Sequence, residues 1–292
     1  MIVFPNAKIN LGIRVLRKRS DGFHDLETIF YPIPLCDVLE ITPFNEKAAL
    51  IGAEFVSSTV QVGLQSGGFF IWSCSGNTIE GDINSNLCVR AFRLFDSVHP
   101  VRPHYYVHLH KVIPSGAGLG GGSSDASFLL KTLNQLEGSP LNNEKLAEMS
   151  LQLGSDCPFF IENSPALAFG RGEVLRKIHI DLKGYRLLLV KPPVHIATPE
   201  AFRNVKMSEP LFENSPDLML DVQKWQTSLI NSFEDHVFRN YPEVKAIKNK
   251  MLESGAVYAS MSGSGSSVFG LFTETVRIDF SEEGYFVFES VL

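Results

Sequence analysis

Five glycines fall within the eleven residues Pro114-Ser-Gly-Ala-Gly-Leu-Gly-Gly-Gly-Ser-Ser124, and no other segment constrains the fold as tightly. Before it, Tyr105, Val107 and Leu109 alternate as a half-buried strand does. After it, Ala126, Leu129, Leu130, Leu133 and Leu136 recur at helical spacing, up to Gly138 and Pro140. Glycine tolerates positive φ and lets a ligand approach the main chain. A helix that begins directly after such a loop presents unpaired N–H groups and the positive end of its dipole. Together these make an anion site, whose usual occupant is phosphate. A ligand-free connector would carry the conformational cost of five glycines without return.

Two familiar phosphate loops fit poorly. Gly116-Ala-Gly118-Leu-Gly-Gly121 satisfies G-x-G-x-x-G. A dinucleotide fold, however, needs a following strand that ends in an acidic residue about 20 positions on. That distance reaches Glu137, at a helix end, and a second helical pattern follows. Reading the P-loop spacing from Gly116 puts Gly122 where its lysine belongs. Phosphate is therefore expected to be held by backbone N–H groups, the hydroxyls of Ser123 and Ser124, and Mg²⁺.

The remaining pattern is mixed. Ala7, Ile9, Leu11, Ile13 and Val15 alternate with Lys8, Asn10, Gly12 and Arg14, which predicts a strand with one buried face. Strand-like runs over 26–41 are broken at Pro32 and Pro34, and the stretch 52–75 reads as hairpins or an insertion. Helices are expected over 86–98, 143–153, 215–240 and 242–254, and strands over 184–190, 256–261 and 267–272. This is an α+β chain, with two domains expected at 1–170 and 171–292. A net charge of −6 argues against a nucleic-acid-binding protein. The opening MIVFPNAKIN lacks a signal-peptide pattern, and no run is long enough to span a bilayer. The four cysteines form no C-x-x-C pair, so reduced thiols in the cytoplasm are expected, with no membrane partner.

Pro114-x-x-x-Gly118-Leu-Gly-Gly-Gly-Ser-Ser124-x-Ala126 resembles the ATP-binding signature of the galactokinase, homoserine kinase and mevalonate kinase superfamily. Met261-Ser-Gly-Ser-Gly-Ser-Ser-Val-Phe269 resembles its C-terminal glycine motif. Asn6-Ala-Lys-Ile-Asn-Leu11, Arg19-x-Asp-Gly-Phe-His24, Leu35-x-Asp37, Gly154-Ser-Asp-Cys-Pro158 and Gly170-Arg-Gly-Glu173 narrow the likeness to the 4-diphosphocytidyl-2-C-methyl-D-erythritol kinases. Three departures stand out: a longer 52–75 segment, Phe23 in place of the commoner tyrosine, and a nondescript tail after Phe272.

The resemblance implies an N-terminal domain like ribosomal protein S5 domain 2, a ferredoxin-like C-terminal domain and a substrate cleft between them. It implies ATP as donor, Mg²⁺, and a small-molecule acceptor: the 2-hydroxyl of the cytidine-linked methylerythritol of the non-mevalonate isoprenoid pathway. The enzyme is expected as a monomer or weak dimer. Pro114, Ser115, Gly116, Ala117, Gly118, Leu119, Gly120, Gly121, Gly122, Ser123 and Ser124 would hold the triphosphate, with Ser124, or its neighbour Ser123, toward Mg²⁺.

Read alone, Lys8 is a solvated lysine; in the family pattern it is a catalytic cation, and Asn10, two residues along the strand, bonds an acceptor hydroxyl. Asp156 alone is a helix N-cap, and in the family pattern the general base; one carboxylate can serve both roles. Phe23 and Tyr31 are candidate stacking faces for a pyrimidine, and His24 a reader of its edge. His104, His108 and His110 share a strand face that reads as solvated rather than as a metal site. Cys157 reads as a buried thiol.

Overall fold

A computed structural model describes residues 1–44, 59–79, 81–101, 104–211, 221–280 and 284–292. The chain begins with strands β1 (Ile2–Val3), β2 (Asn6–Lys18), β3 (His24–Cys36), β4 (Val38–Phe44), β5 (Val60–Gly63) and β6 (Phe69–Gly76). Helix α1 (Leu87–Val98), β7 (His104–Lys111) and helices α2 (Gly121–Leu136), α3 (Asn143–Leu151) and α4 (Cys157–Glu162) follow. Then come β8 (Ala166–Phe169), β9 (Val174–Lys177), β10 (Arg186–Lys191), α5 (Thr198–Arg203), α6 (Trp225–Ser228), α7 (Glu234–Asn240), α8 (Pro242–Glu253), β11 (Tyr258–Met261), β12 (Val268–Phe272) and β13 (Phe286–Val291). Among the described residues no helix is long and apolar enough to cross a membrane.

Two compact units form, neither continuous in sequence. The first comprises Met1–Ala7, Leu35–Ser115 and Gly120–Asn163; the second comprises Lys8–Pro34, Gly116–Leu119 and Ser164–Leu292. These units do not coincide with a 1–170 and 171–292 division. Within the second unit, backbone bonds retain the early segments: Lys8 N donates to Leu119 O at 2.9 Å and Ser267 N to Ala117 O at 3.4 Å.

In the first unit a five-stranded sheet runs β1-β4-β7-β6-β5. Strands β6 and β7 are parallel, and α1 makes the crossover that parallel neighbours require. The alternation of β7 explains its burial: Tyr105, Val107 and Leu109 share one core with Leu39, Ile41, Phe70, Phe92, Leu129 and Leu133. Phe70 stacks on Phe92 with ring centroids 4.2 Å apart. Helix α1 starts where expected because the Asn86 side chain caps it, accepting from Cys88 N at 2.9 Å. Of the stretch 52–75, residues 52–58 lie outside the described residues, and the rest includes an antiparallel β5–β6 hairpin.

The second unit holds two four-stranded sheets, β2-β3-β8-β9 and β11-β12-β10-β13. Three sequence expectations change here. Strand β3 passes through Pro32 and Pro34 unbroken: its neighbour β8 pairs only with Thr28–Phe30, so the missing proline N–H groups leave no gap in that ladder. The helix expected over 215–240 exists only in pieces, with 215–220 outside the described residues. Its centre is extended because Ile13 N donates to Ile230 O and Ser232 N to Ile13 O, a backbone pairing with β2. The nondescript tail contains β13, which pairs antiparallel with β10 from Arg186↔Val291 to Lys191↔Phe286.

Candidate functional site

Strand β7 and helix α2, which flank the glycine-rich loop in sequence, belong to the first unit, while Gly116–Leu119 of the loop belong to the second. Gly120 ends the loop at φ 69°, ψ 15°, and no side chain caps α2. The first-turn N–H groups have no intrahelical partner and remain available to an anion. Ser124 is fully buried, and its Oγ has no hydrogen-bond partner among the described residues. Beside Gly121, in the first unit, lies an ion cluster. Lys111 Nζ donates to Asp37 Oδ2 and, at 2.8 Å, to Asp125 Oδ2, while Asp37 Oδ1 accepts from Val112 N at 2.6 Å and Ile113 N at 2.8 Å. Burial works against the Lys111 charge, but the two carboxylates outweigh it and raise its pKa. Burial pushes Asp125 up to about 8 against the pull of Lys111, and its buried Oδ1 has no hydrogen-bond partner among the described residues.

Asp156 is half-buried at the start of α4. It sits at the N-cap position with helical angles (φ −79°, ψ −16°), and its side chain makes no capping bond, so the expected capping role is absent. Its neighbour Cys157 is a buried thiol, raised by burial to about 11, and no activated nucleophile lies there.

In the second unit Lys8 is only 3% exposed, which removes the solvated reading. Its ammonium donates to Asn10 Oδ1 at 2.6 Å and lies 4.8 Å from the centroid of the Phe30 ring. Asn10 Nδ2 donates to Thr28 Oγ1 at 3.0 Å. The two glycine motifs meet beside this strand. Asn10 N donates to Ser262 Oγ at 3.3 Å, and Ser262 Oγ donates to Gly118 O at 2.9 Å. Asn231 Nδ2 braces the second motif by donating to Met261 O at 2.7 Å and Gly263 O at 2.9 Å. Glycine is obligatory at 118, where φ is +76° and a Cβ would stand 2.0 Å from Ser262 O.

The candidate base-binding residues separate. His24 stacks on Phe202 of α5 with centroids 4.9 Å apart, and the Arg171 guanidinium lies 4.7 Å above the half-exposed Phe23 ring. Burial, with Lys18 nearby, lowers the His24 pKa and favours the neutral ring at neutral pH. Tyr31 lies seven residues farther along β3, roughly 23 Å at about 3.3 Å per residue. It does not share a stacking site with Phe23 and His24; Phe202 takes that place beside His24.

Several of these residues escaped the sequence reading. Lys111 continues the buried alternation of Tyr105, Val107 and Leu109, and a lysine on an apolar stripe was its visible signal. Asp125 and Phe202 had none, because each is made significant by residues distant in sequence. His108 and His110 bond Ser73 and Ser75, and no group of three or more metal-binding side chains occurs among the described residues.

The GHMP kinases N terminal domain family matches residues 86–164, and the GHMP kinases C terminal family matches 211–283. The chain is 46% identical over 278 residues to a 4-diphosphocytidyl-2-C-methyl-D-erythritol kinase of Azobacteroides pseudotrichonymphae, covering 95% of each. It is 43% identical over the full length of both chains to the kinase of the same description from Bacteroides fragilis. Among solved structures, a 4-(cytidine 5'-diphospho)-2C-methyl-D-erythritol kinase is 31% identical, with a TM-score of 0.71 over 93% of this chain and 90% of that one. A mevalonate kinase from Methanococcus jannaschii, 16% identical with a TM-score of 0.66 over 100% of this chain and 98% of that one, shares the fold.

Proposed function

This chain belongs to the family of 4-diphosphocytidyl-2-C-methyl-D-erythritol kinases, and we infer that it uses ATP to phosphorylate the 2-hydroxyl of 4-diphosphocytidyl-2-C-methyl-D-erythritol. The reaction belongs to the non-mevalonate isoprenoid pathway, and the enzyme is a cytoplasmic monomer or weak dimer. Identity of 46% over 95% of the chain carries the substrate assignment. Burial of Lys8 beside Asn10 supports the catalytic one, because an ammonium is costly to bury and is seldom retained without a task.

The γ-phosphoryl group passes directly to the hydroxyl in line. Lys8 stabilises charge developing on the phosphoryl oxygens and the acceptor oxygen, Asn10 bonds the acceptor, and Asp156 takes the proton. An ordinary carboxylate suffices as base, since a loose transition state leaves the proton on the nucleophile until late. The 114–124 loop and the first turn of α2 hold the triphosphate through backbone N–H groups. The buried, unpartnered Ser124 Oγ fits a hard cation, and Ser124, with Ser123 beside it, would hold Mg²⁺ together with phosphate oxygens and water. Bound there, Mg²⁺ supplies charge neutralisation to the triphosphate. His24 reads the cytosine edge, and Phe202 and Phe23 offer aromatic faces.

The S5-like and ferredoxin-like descriptions belong to the same proposal. The order β11-β12-β10-β13, antiparallel throughout, supports the second of them. The two family matches fall on either side of residue 170, which supports a 1–170 and 171–292 division by descent. A single assay tests the function: ADP release with the cytidine-linked methylerythritol, homoserine and mevalonate as acceptors. Turnover with the first is expected, and turnover with homoserine alone would replace this reading with a homoserine-type kinase.

A further inference from the structure

We propose that Thr28 is a positioning residue for phosphoryl transfer, its hydroxyl setting the orientation of the Asn10 side-chain amide and thereby the place of the Lys8 ammonium. The inference rests on the roles given above to Lys8 and Asn10. Thr28 is 1% exposed on β3, and Asn10 is 2% exposed on β2. Four groups form one directed chain. Lys8 Nζ donates to Asn10 Oδ1 (2.6 Å), Asn10 Nδ2 donates to Thr28 Oγ1 (3.0 Å), and Thr28 Oγ1 donates to Gly12 O (2.6 Å).

Both ends of the chain impose the same direction. An ammonium has only hydrogens to give, and a backbone carbonyl has only lone pairs. The Thr28 hydroxyl has one hydrogen, and Gly12 O takes it, so toward Asn10 the hydroxyl can only accept. Asn10 must therefore turn its NH₂ to Thr28 and its oxygen to Lys8. The amide is left with one N–H beyond that used on Thr28, which suits donation to an acceptor hydroxyl oxygen and leaves the hydroxyl proton for the base. Without the Thr28 oxygen a flipped amide would set NH₂ against the ammonium, and Lys8 would lose its bond to Asn10 Oδ1.

Thr28→Val keeps the β-branched shape and removes the hydroxyl; Thr28→Ser keeps the hydroxyl and removes a methyl. The enzyme and its Thr28→Val, Thr28→Ser, Thr28→Ala, Asn10→Ala, Lys8→Ala and Thr28→Val/Asn10→Ala variants are compared in kcat, in KM for ATP and for the cytidine-linked acceptor, and in thermal unfolding. One well-placed hydrogen bond corresponds to about a tenfold effect. Thr28→Val is expected to lower kcat about tenfold with KM for ATP changed less than about threefold, and Thr28→Ser to stay within about threefold of the parent. In the Asn10→Ala background the valine should cost less than about twofold more, because Thr28 acts through Asn10. An undiminished kcat in Thr28→Val while Asn10→Ala is impaired would overturn the positioning role alone. So would an equal loss in the Asn10→Ala background, or failure of both Val and Ala variants to fold while Ser folds. Full activity in both Lys8→Ala and Asn10→Ala would instead remove the reading on which the inference stands, and the inference with it.

Discussion

Replacing the loop glycines one at a time by alanine separates three physical situations within a single motif. At Gly118, φ is +76° and the new Cβ would stand 2.0 Å from Ser262 O, 2.9 Å from Ser262 C and 3.3 Å from Gly265 O. The obstacle is backbone, so no rotamer change relieves it. Left-handed strain of about 1–2 kcal/mol and overpacking of about 1–3 kcal/mol give a loss of roughly 2–5 kcal/mol. At Gly121 the Cβ would meet side chains, Ile113 Cγ2 at 2.9 Å and Lys111 Nζ at 3.0 Å, and the ammonium is pinned by its hydrogen bonds to Asp37 and Asp125. A loss of about 1–3 kcal/mol is expected there. At Gly122 the nearest atom is Leu87 Cδ1 at an ordinary 3.7 Å, and alanine in the first turn of α2 should stabilise by up to about 1 kcal/mol. Urea unfolding measures the ranking Gly122→Ala above parent, then Gly121→Ala, then Gly118→Ala, and calorimetric ATP titration should show the weakest binding in Gly118→Ala. A Gly118→Ala protein with parental unfolding midpoint and parental ATP affinity would refute the close approach of the two glycine motifs and its part in holding the triphosphate.

Three further outcomes are expected. Asp156→Asn should bind ATP normally yet lose about 10²–10⁴ in kcat, and Lys8→Ala should lose kcat and kcat/KM together, both read in steady-state kinetics. The cytidine-linked acceptor should be preferred over its uridine analogue by at least about 10² in kcat/KM, because uracil reverses the hydrogen-bonding roles of the cytosine edge. His24→Ala should erode that ratio, whereas Phe202→Ala should weaken both analogues alike, by about 1–3 kcal/mol of stacking. Asp125 holds its proton more tightly folded (pKa about 8) than unfolded (3.8). The native state therefore binds more protons between these values, and this contribution, full below the lower one, is lost as pH rises through the upper. Asp125→Asn should flatten the fall in stability over that window in pH-dependent unfolding, and an unchanged slope would exclude a protonated Asp125.

Local pattern alone determined a good part of this protein. Alternation in β7 marked its buried face, and the apolar spacing of 86–98 marked α1, whereas β2, expected to bury one face, is buried on both from Asn6 to Ile13. The glycine run announced a phosphate-type loop because positive φ and a following helix N-terminus are local properties. What failed locally failed for tertiary reasons. Residues 230–232 leave the helical course because β2 supplies their backbone partners, and β13 is a strand because β10 accepts it; neither partner is visible in its own segment. The same holds for the site. Lys8 resembles any surface lysine until the strand beside it, through Thr28 and Asn10, turns an amide oxygen toward its ammonium. Asp125 is an unremarkable helix residue until Lys111, fourteen positions earlier, is buried against it. Tyr31 seemed near His24 in sequence, but an extended strand carries it away and brings Phe202 to His24 instead. Backbone preference acts over a few residues and can be read there, whereas burial and charge pairing depend on which distant segments the fold makes neighbours, so only the tertiary structure decides them.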